Sequence, residues 1–213
     1  MDRKTGWFGV FGVIVVAIWV AGCASTPVER KEASVVELRD SMMEIRGQVD
    51  KTLASLNGLM SAPPDRLRSA YQQYAKDTDK IAQQAVTVDK ESRQMRKRSV
   101  EWLAGWQKSQ ADVHDPELKA LSERRHAEAL ERIQNIERTL VETREAFAPF
   151  VTNLQDVKQV VGNDLTPNSV AAVSGTAVVQ NANQSGADVV RALDATIADL
   201  EVLTKTLTPA SNQ

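Results

Sequence analysis

The chain has 213 residues, with 26 Lys and Arg against 28 Asp and Glu and a formal net charge of −2, a balance that gives no general attraction for nucleic acid. One cysteine excludes an internal disulfide, and two histidines leave little from which to build a metal or acid–base centre. Ten glycines, seven prolines and few aromatic residues, in a background rich in Ala, Glu, Gln, Arg and Leu, favour helix over sheet.

Asp2, Arg3 and Lys4 precede a stretch from Trp7 to Val20 that is apolar apart from Gly9 and Gly12. A bilayer crossing takes about 20 apolar residues, so the pattern predicts a secretory signal segment over residues 1–22 rather than a retained membrane helix. It ends in Val20-Ala21-Gly22-Cys23, which resembles the bacterial lipobox. Small residues open the backbone to a peptidase, and cleavage between Gly22 and Cys23 would leave Cys23 as the first residue of the mature chain.

The resemblance implies that the Cys23 sulfur carries diacylglycerol and its amine an N-acyl chain; no other cofactor is expected. At about 0.8 kcal/mol per buried methylene, such chains hold a protein on its membrane. The competing readings of Cys23 are an uncleaved signal-anchor helix and a reactive or metal-binding thiol, and the latter lacks a neighbouring base or ligands. Ala24 stands where an Asp retains Gram-negative lipoproteins at the inner membrane. By the same likeness the expected location is the inner leaflet of the outer membrane, facing the periplasm. Removing Asp2, Arg3 and Lys4 with the signal leaves 24 basic and 27 acidic residues.

Residues 26–34 are polar, and a lipidated tether is expected over 23–34. The first helix is expected over about 35–61, where Val35, Leu38, Met42, Ile45, Val49, Thr52, Leu56 and Leu59 recur at threes and fours and keep one stripe in line. Pro63 and Pro64 force a turn. The second helix, about 66–109, carries Leu67, Tyr71, Tyr74, Thr78, Ile81, Ala85, Val88, Ser92, Met95, Ser99, Trp102 and Trp106 on one seam. Its mixture of small and large residues suits close packing in an antiparallel bundle.

Asp115 is a good N-cap with Pro116 at the first helical position, so a third helix is expected over 116–161. Its seam runs Ile133, Ile136, Leu140, Thr143, Phe147, Phe150, Leu154, Val157 and Val161, unbroken through Pro149, with Glu128 and Arg132 as an outer i, i+4 pair and Gly162 as a C-cap. Thr166-Pro167 restarts the chain. A fourth helix over 167–207 is expected from Val170, Val173, Ala177, Val178, Leu193, Ile197, Leu200 and Leu207, weakened or broken at the polar Asn181–Gly186 stretch. Residues 208–213 read as a disordered tail. The predicted fold is all-α, an elongated antiparallel four-helix bundle or coiled coil behind a cleavable N-terminal signal segment.

Leu38-Arg39-Asp40-Ser41, the span from Trp102 to Trp106, Phe147-Ala148-Pro149-Phe150, Leu154-Gln155-Asp156-Val157 and Asn163-Asp164-Leu165 together resemble an uncharacterised family of bacterial helical lipoproteins, a domain of unknown function. The likeness covers most of residues 33–205 and departs at Asn181–Gly186. It implies a helical fold and an envelope location, and carries no catalytic residue.

The search for chemistry gives no nucleophile elbow, phosphate loop or HExxH spacing, so neither an enzyme, a catalytic residue nor a metal site is expected. His114 reads as part of a capped polar turn and His126 as a boundary residue. Trp102, Trp106, Tyr71 and Tyr74 could form an aromatic binding face, but their seam positions favour core packing. Arg93, Arg96, Lys97 and Arg98 form a basic cluster, a possible interaction patch for anionic headgroups or an acidic partner, flanked by Asp89, Glu91 and Glu101.

Two functions follow as expectations. One is a membrane-anchored periplasmic lipoprotein acting as a structural or protein-interaction coiled-coil module, with an envelope protein as partner. The other is a bundle that holds a lipid or other apolar molecule, for which Ala85, Ser92 and Ser99 would leave the space. The missing C-terminal lysine disfavours covalent attachment to peptidoglycan. The sequence does not fix an oligomeric state.

Overall fold

The computed structural model describes the backbone of residues 27–207 and side chains from 35 to 205. The expected signal segment, the Gly22–Cys23 junction and the tail at 208–213 lie outside the described residues. Within them the chain is all-α: α1 Pro27–Met60, α2 Leu67–Gln110, α3 Pro116–Asn163, α4 Pro167–Ser174 and α5 Ala177–Leu207.

Local chemistry sets the helix ends. Asp115 accepts the Leu118 N–H at 2.9 Å, and Pro116 follows where a helix tolerates proline. Thr166 accepts the Ser169 N–H at 3.2 Å, again with proline next. Pro63 and Pro64 separate α1 from α2, and α3 runs through Pro149 without ending.

The four long helices form a ring, with α1 packed on α2 and α5, and α3 packed on α2 and α5. Cross-helix pairs give the directions. Ser41 meets Glu91 while Gln48 meets Asp77, so α1 and α2 are antiparallel. Trp106 meets Ser122 while Tyr74 meets Leu154. Thr139 meets Asp199 while Asn153 meets Ser185, and Arg46 meets Asp194 while Asn57 meets Asn183. Every neighbour therefore runs opposite, as short connections require.

On α1 and α3 the core lies on the predicted seams, whereas on α5 Ala177 is exposed and Val179, Ala182, Val189 and Leu203 are buried beside the expected Leu193 and Leu200. Leu38, Met42, Ile45, Val49, Leu56 and Leu59 are buried on α1, and Ile136, Leu140, Phe147, Phe150, Leu154, Val157 and Val161 on α3. Each such side chain contributes about 1.5–3 kcal/mol on burial. Several polar side chains enter the core in bonded groups: Asp77 accepts from Gln48 Nε2 at 3.3 Å and from Gln73 Nε2 at 2.8 Å, and Thr143 bonds Thr196 at 3.1 Å, whereas the buried Thr78 hydroxyl has no hydrogen-bond partner among the described residues.

Several expectations are corrected. α1 begins at Pro27, so residues 27–34 of the expected tether are helical. The break in the last segment lies at Gly175–Thr176, not at Asn181–Gly186. There Thr176 bonds Val173 O through both its N–H and its hydroxyl, and diverts that carbonyl from a continuing helix. α5 passes through Asn181–Gly186 unbroken because Ala182, Ser185 and Gly186 face inward and their small size brings α5 close to its neighbours. A Cβ on Gly186 would stand 2.9 Å from Leu53 and 3.0 Å from Phe150. Gly162 is not a left-handed cap but the point where Tyr71 crosses α3. Glu128 pairs back with Arg125 at 3.2 Å instead of forward with Arg132.

Candidate functional site

α2 and α3, at 44 and 48 residues, outrun α1 and α5, at 34 and 31. Carrying the Thr139–Asp199 and Thr143–Thr196 pairing onward puts Leu207 level with about Arg132, and the Trp106–Ser122 and Leu103–His126 pairing puts Arg132 level with about Lys97. Beyond that level residues 99–110 and 116–131 continue as an arm of roughly 18–24 Å without α5 beside it, accompanied by α1 only in its lower part. Val35 and Leu38 share a groove with Met95 and Arg98, so α1 opens at Pro27 at about the level of Gly105, roughly 10 Å short of the arm's tip.

The arm has a thin interior. Trp102 and Trp106 are half-buried, with ring centroids 5.4 Å apart, and His126 meets Trp106 edge-on at 5.4 Å. The expected core packing of these tryptophans is thus only half realised: α5 stops below both, and α1 opens at a level between them. Ser122 accepts from Trp106 Nε1 at 3.0 Å and from Gln110 Nε2 at 3.1 Å. His126 Nε2 lies 3.3 Å from Leu103 O, a bond that requires the proton on that nitrogen, since a carbonyl only accepts. Tyr74 belongs to the core and Tyr71 is partly buried, so the four aromatic residues do not form one face.

The basic cluster is divided between two sides of α2. Arg93 pairs with Asp89 at 2.7 Å and Arg96 with Glu137 at 3.9 Å, beside a groove of about 50 Å³ that Ser92, Leu140 and Arg144 also line. Arg98 lines a separate groove of about 140 Å³ between α1 and α2, with Val35, Leu38, Glu91 and Met95. Lys97 is exposed. Burial pushes the Glu91 carboxyl above its ordinary value, and the Ser41 hydroxyl, donating at 3.0 Å, works in the opposite sense. His114 is exposed in the loop before α3, and no group of three metal-ligating side chains occurs among the described residues.

The tip was not legible as a site from the seams alone. Five helical turns take about 18 residues, so Leu118 continues the line of Ile136 and Leu121 that of Thr139. Ile136 and Thr139 are buried in the body, whereas Leu118 is 59 % and Leu121 45 % exposed. The signal that could have found them is the mismatch in segment length.

The profile of a family described as a protein of unknown function, DUF2959, matches residues 29–207. The chain belongs to the DUF2959 family. The match spans all the described helices except the first two residues of α1, so in this DUF2959 protein the arm is part of the family domain and not an addition to it. No match to the chain was found among curated proteins or among solved structures. No helix among the described residues is long and apolar enough to cross a membrane.

Proposed function

We propose that this DUF2959 protein is a membrane-anchored lipoprotein of a Gram-negative outer membrane, facing the periplasm and serving as a structural or protein-interaction module. The lipobox-like Val20-Ala21-Gly22-Cys23 supplies the attachment, with diacylglycerol and an N-acyl chain on Cys23. One observation carries the reading further. Pro27, four residues after Cys23, opens α1 at one end of a rod whose longest helix is about 72 Å, so an anchor at Cys23 would hold the rod by its end and project its far loops into the periplasm.

The alternative is a bundle that holds a lipid or other apolar molecule between its helices. It would need a chamber beside Ala85, Ser92 and Ser99. Among the described residues the groove at Ser92 measures about 50 Å³ and the one at Met95 about 140 Å³, whereas small-molecule sites occupy about 300–1,000 Å³, which favours the interaction reading.

Metabolic palmitate labelling of the full chain and of Cys23→Ala tests the anchor. Wild type should be labelled and sediment with membranes, and the variant should lose both properties; unchanged labelling and retention would overturn the lipoprotein reading. Crosslinking in cells, read by mass spectrometry, tests the interaction role through recovery of a specific envelope protein.

A further inference from the structure

We infer that the tip of the α2–α3 arm rests on the lipid bilayer that holds the anchor, contacting it through Leu118 and Leu121. The inference rests on the lipid-anchor reading and adds a second, non-covalent contact to it.

Three observations converge. First, the arm and the N-terminal end of α1 point the same way, and the tip lies about 10 Å beyond the level of Pro27. The four peptide steps from Cys23 to Pro27 span at most about 14 Å, so a bilayer holding Cys23 comes within reach of the tip. Second, Leu118 and Leu121 lie on lines that the bundle covers in the body and leaves exposed here, 59 % and 45 %. Two exposed leucines at a loop-proximal helix start are what a bilayer surface can cover without a complementary protein groove. Third, Trp106 stands about 6 Å behind Gln110, half-buried, where an amphipathic ring sits well between water and lipid.

Charge decides the kind of surface. From residue 108 to 119 the chain carries Lys108 and Lys119 against Asp112, Asp115 and Glu117. That balance gives no pull toward anionic headgroups, so the contact is apolar and independent of anionic lipid. The basic cluster at Arg93–Arg98 stands about 20 Å back from the tip and takes no part.

Acylation consumes the native thiol at Cys23, so a cysteine introduced elsewhere in the lipidated chain is a single labelling site. The experiment compares nitroxide-labelled Leu118→Cys and Leu121→Cys with Asp65→Cys, which lies in the loop at the other end of the rod. Each acylated full chain is reconstituted in vesicles of phosphatidylcholine alone and with phosphatidylglycerol. Labels at 118 and 121 should gain oxygen accessibility and lose nickel-chelate accessibility several-fold relative to 65, equally in both lipids. An acylated, vesicle-bound chain whose 118 and 121 labels remain as aqueous as 65 overturns the tip contact and leaves the anchor intact. Spin–spin broadening at 118 and 121 that disappears on dilution with unlabelled protein shows a second copy on the tip instead, and also overturns it. A chain that carries no acyl group overturns both readings.

Discussion

Tyr74 of α2 donates its hydroxyl to the Leu154 carbonyl of α3 at 2.6 Å, in a fully buried part of the bundle. The bond ties two antiparallel helices at one register. Tyr71, one turn earlier, does the same to Lys158 O at 3.2 Å.

Burial raises the Tyr74 hydroxyl well above the ordinary tyrosine value near 10, because the phenolate would lose its hydration. A folded-state value above the unfolded one means full stability below pH 10 and loss as pH rises past it, at about 1.4 kcal/mol per unit until the folded group also ionises. Alkaline unfolding followed by circular dichroism should therefore steepen above pH 10. Tyr74→Phe should remove this contribution, while costing about 1 kcal/mol at neutral pH from the lost bond.

The glycines divide by what surrounds them. Gly47 and Gly58 lie inside α1 with nothing within 4 Å of a built Cβ, so alanine at either should stabilise the fold by up to about 1 kcal/mol. At Gly186 a side chain meets Leu53 and Phe150, and Gly186→Val should cost about 1–3 kcal/mol by overpacking. Urea midpoints of the three variants check the opposite signs.

Asp77 is nearly buried and is held by Gln48 and Gln73 rather than by a cation. Asp77→Ala should cost about 1–3 kcal/mol, because Gln48 is left with unmatched donors. Replacing Gln48 and Asp77 together with leucine should recover most of that loss in a double-mutant comparison.

The arm should open before the body. Amides of residues 99–110 and 116–131 are expected to exchange with deuterium well before those of the body segments of α2 and α3, since fewer neighbours cover them. Trp106→Ala should speed exchange in the arm further and leave the segment around Tyr74 and Leu154 unchanged. Equal protection along the whole of α3 would contradict this division.

The seams of α1 and α3 were legible because large apolar residues recur without a gap, and nearly every residue on them is buried. The Asp115 and Thr166 caps were legible because proline follows each. What misled in the last segment was polarity: Asn183 bonds Asn57 at the edge of the packing, and Gly186 serves a close approach that depends on Leu53 and Phe150, far away in sequence. The tryptophans misled in the opposite sense. Trp102 and Trp106 keep the spacing of a core seam, yet spacing within one helix does not tell where a neighbouring helix stops. The division of Arg93, Arg96 and Arg98 follows from successive residues pointing to different sides of a helix, which a run of letters conceals.

The even number of long helices also has a mechanical meaning. Both ends of the described chain leave at the arm end, and the turn at 61–66 lies at the other. A pull between Pro27 and that turn acts along α1 and loads its contacts with α2 and α5 in shear, many side chains at once, instead of peeling them turn by turn. Built this way, the molecule would be stiff against lengthwise tension and weakest against a sideways force that lifts α1 out of its two seams.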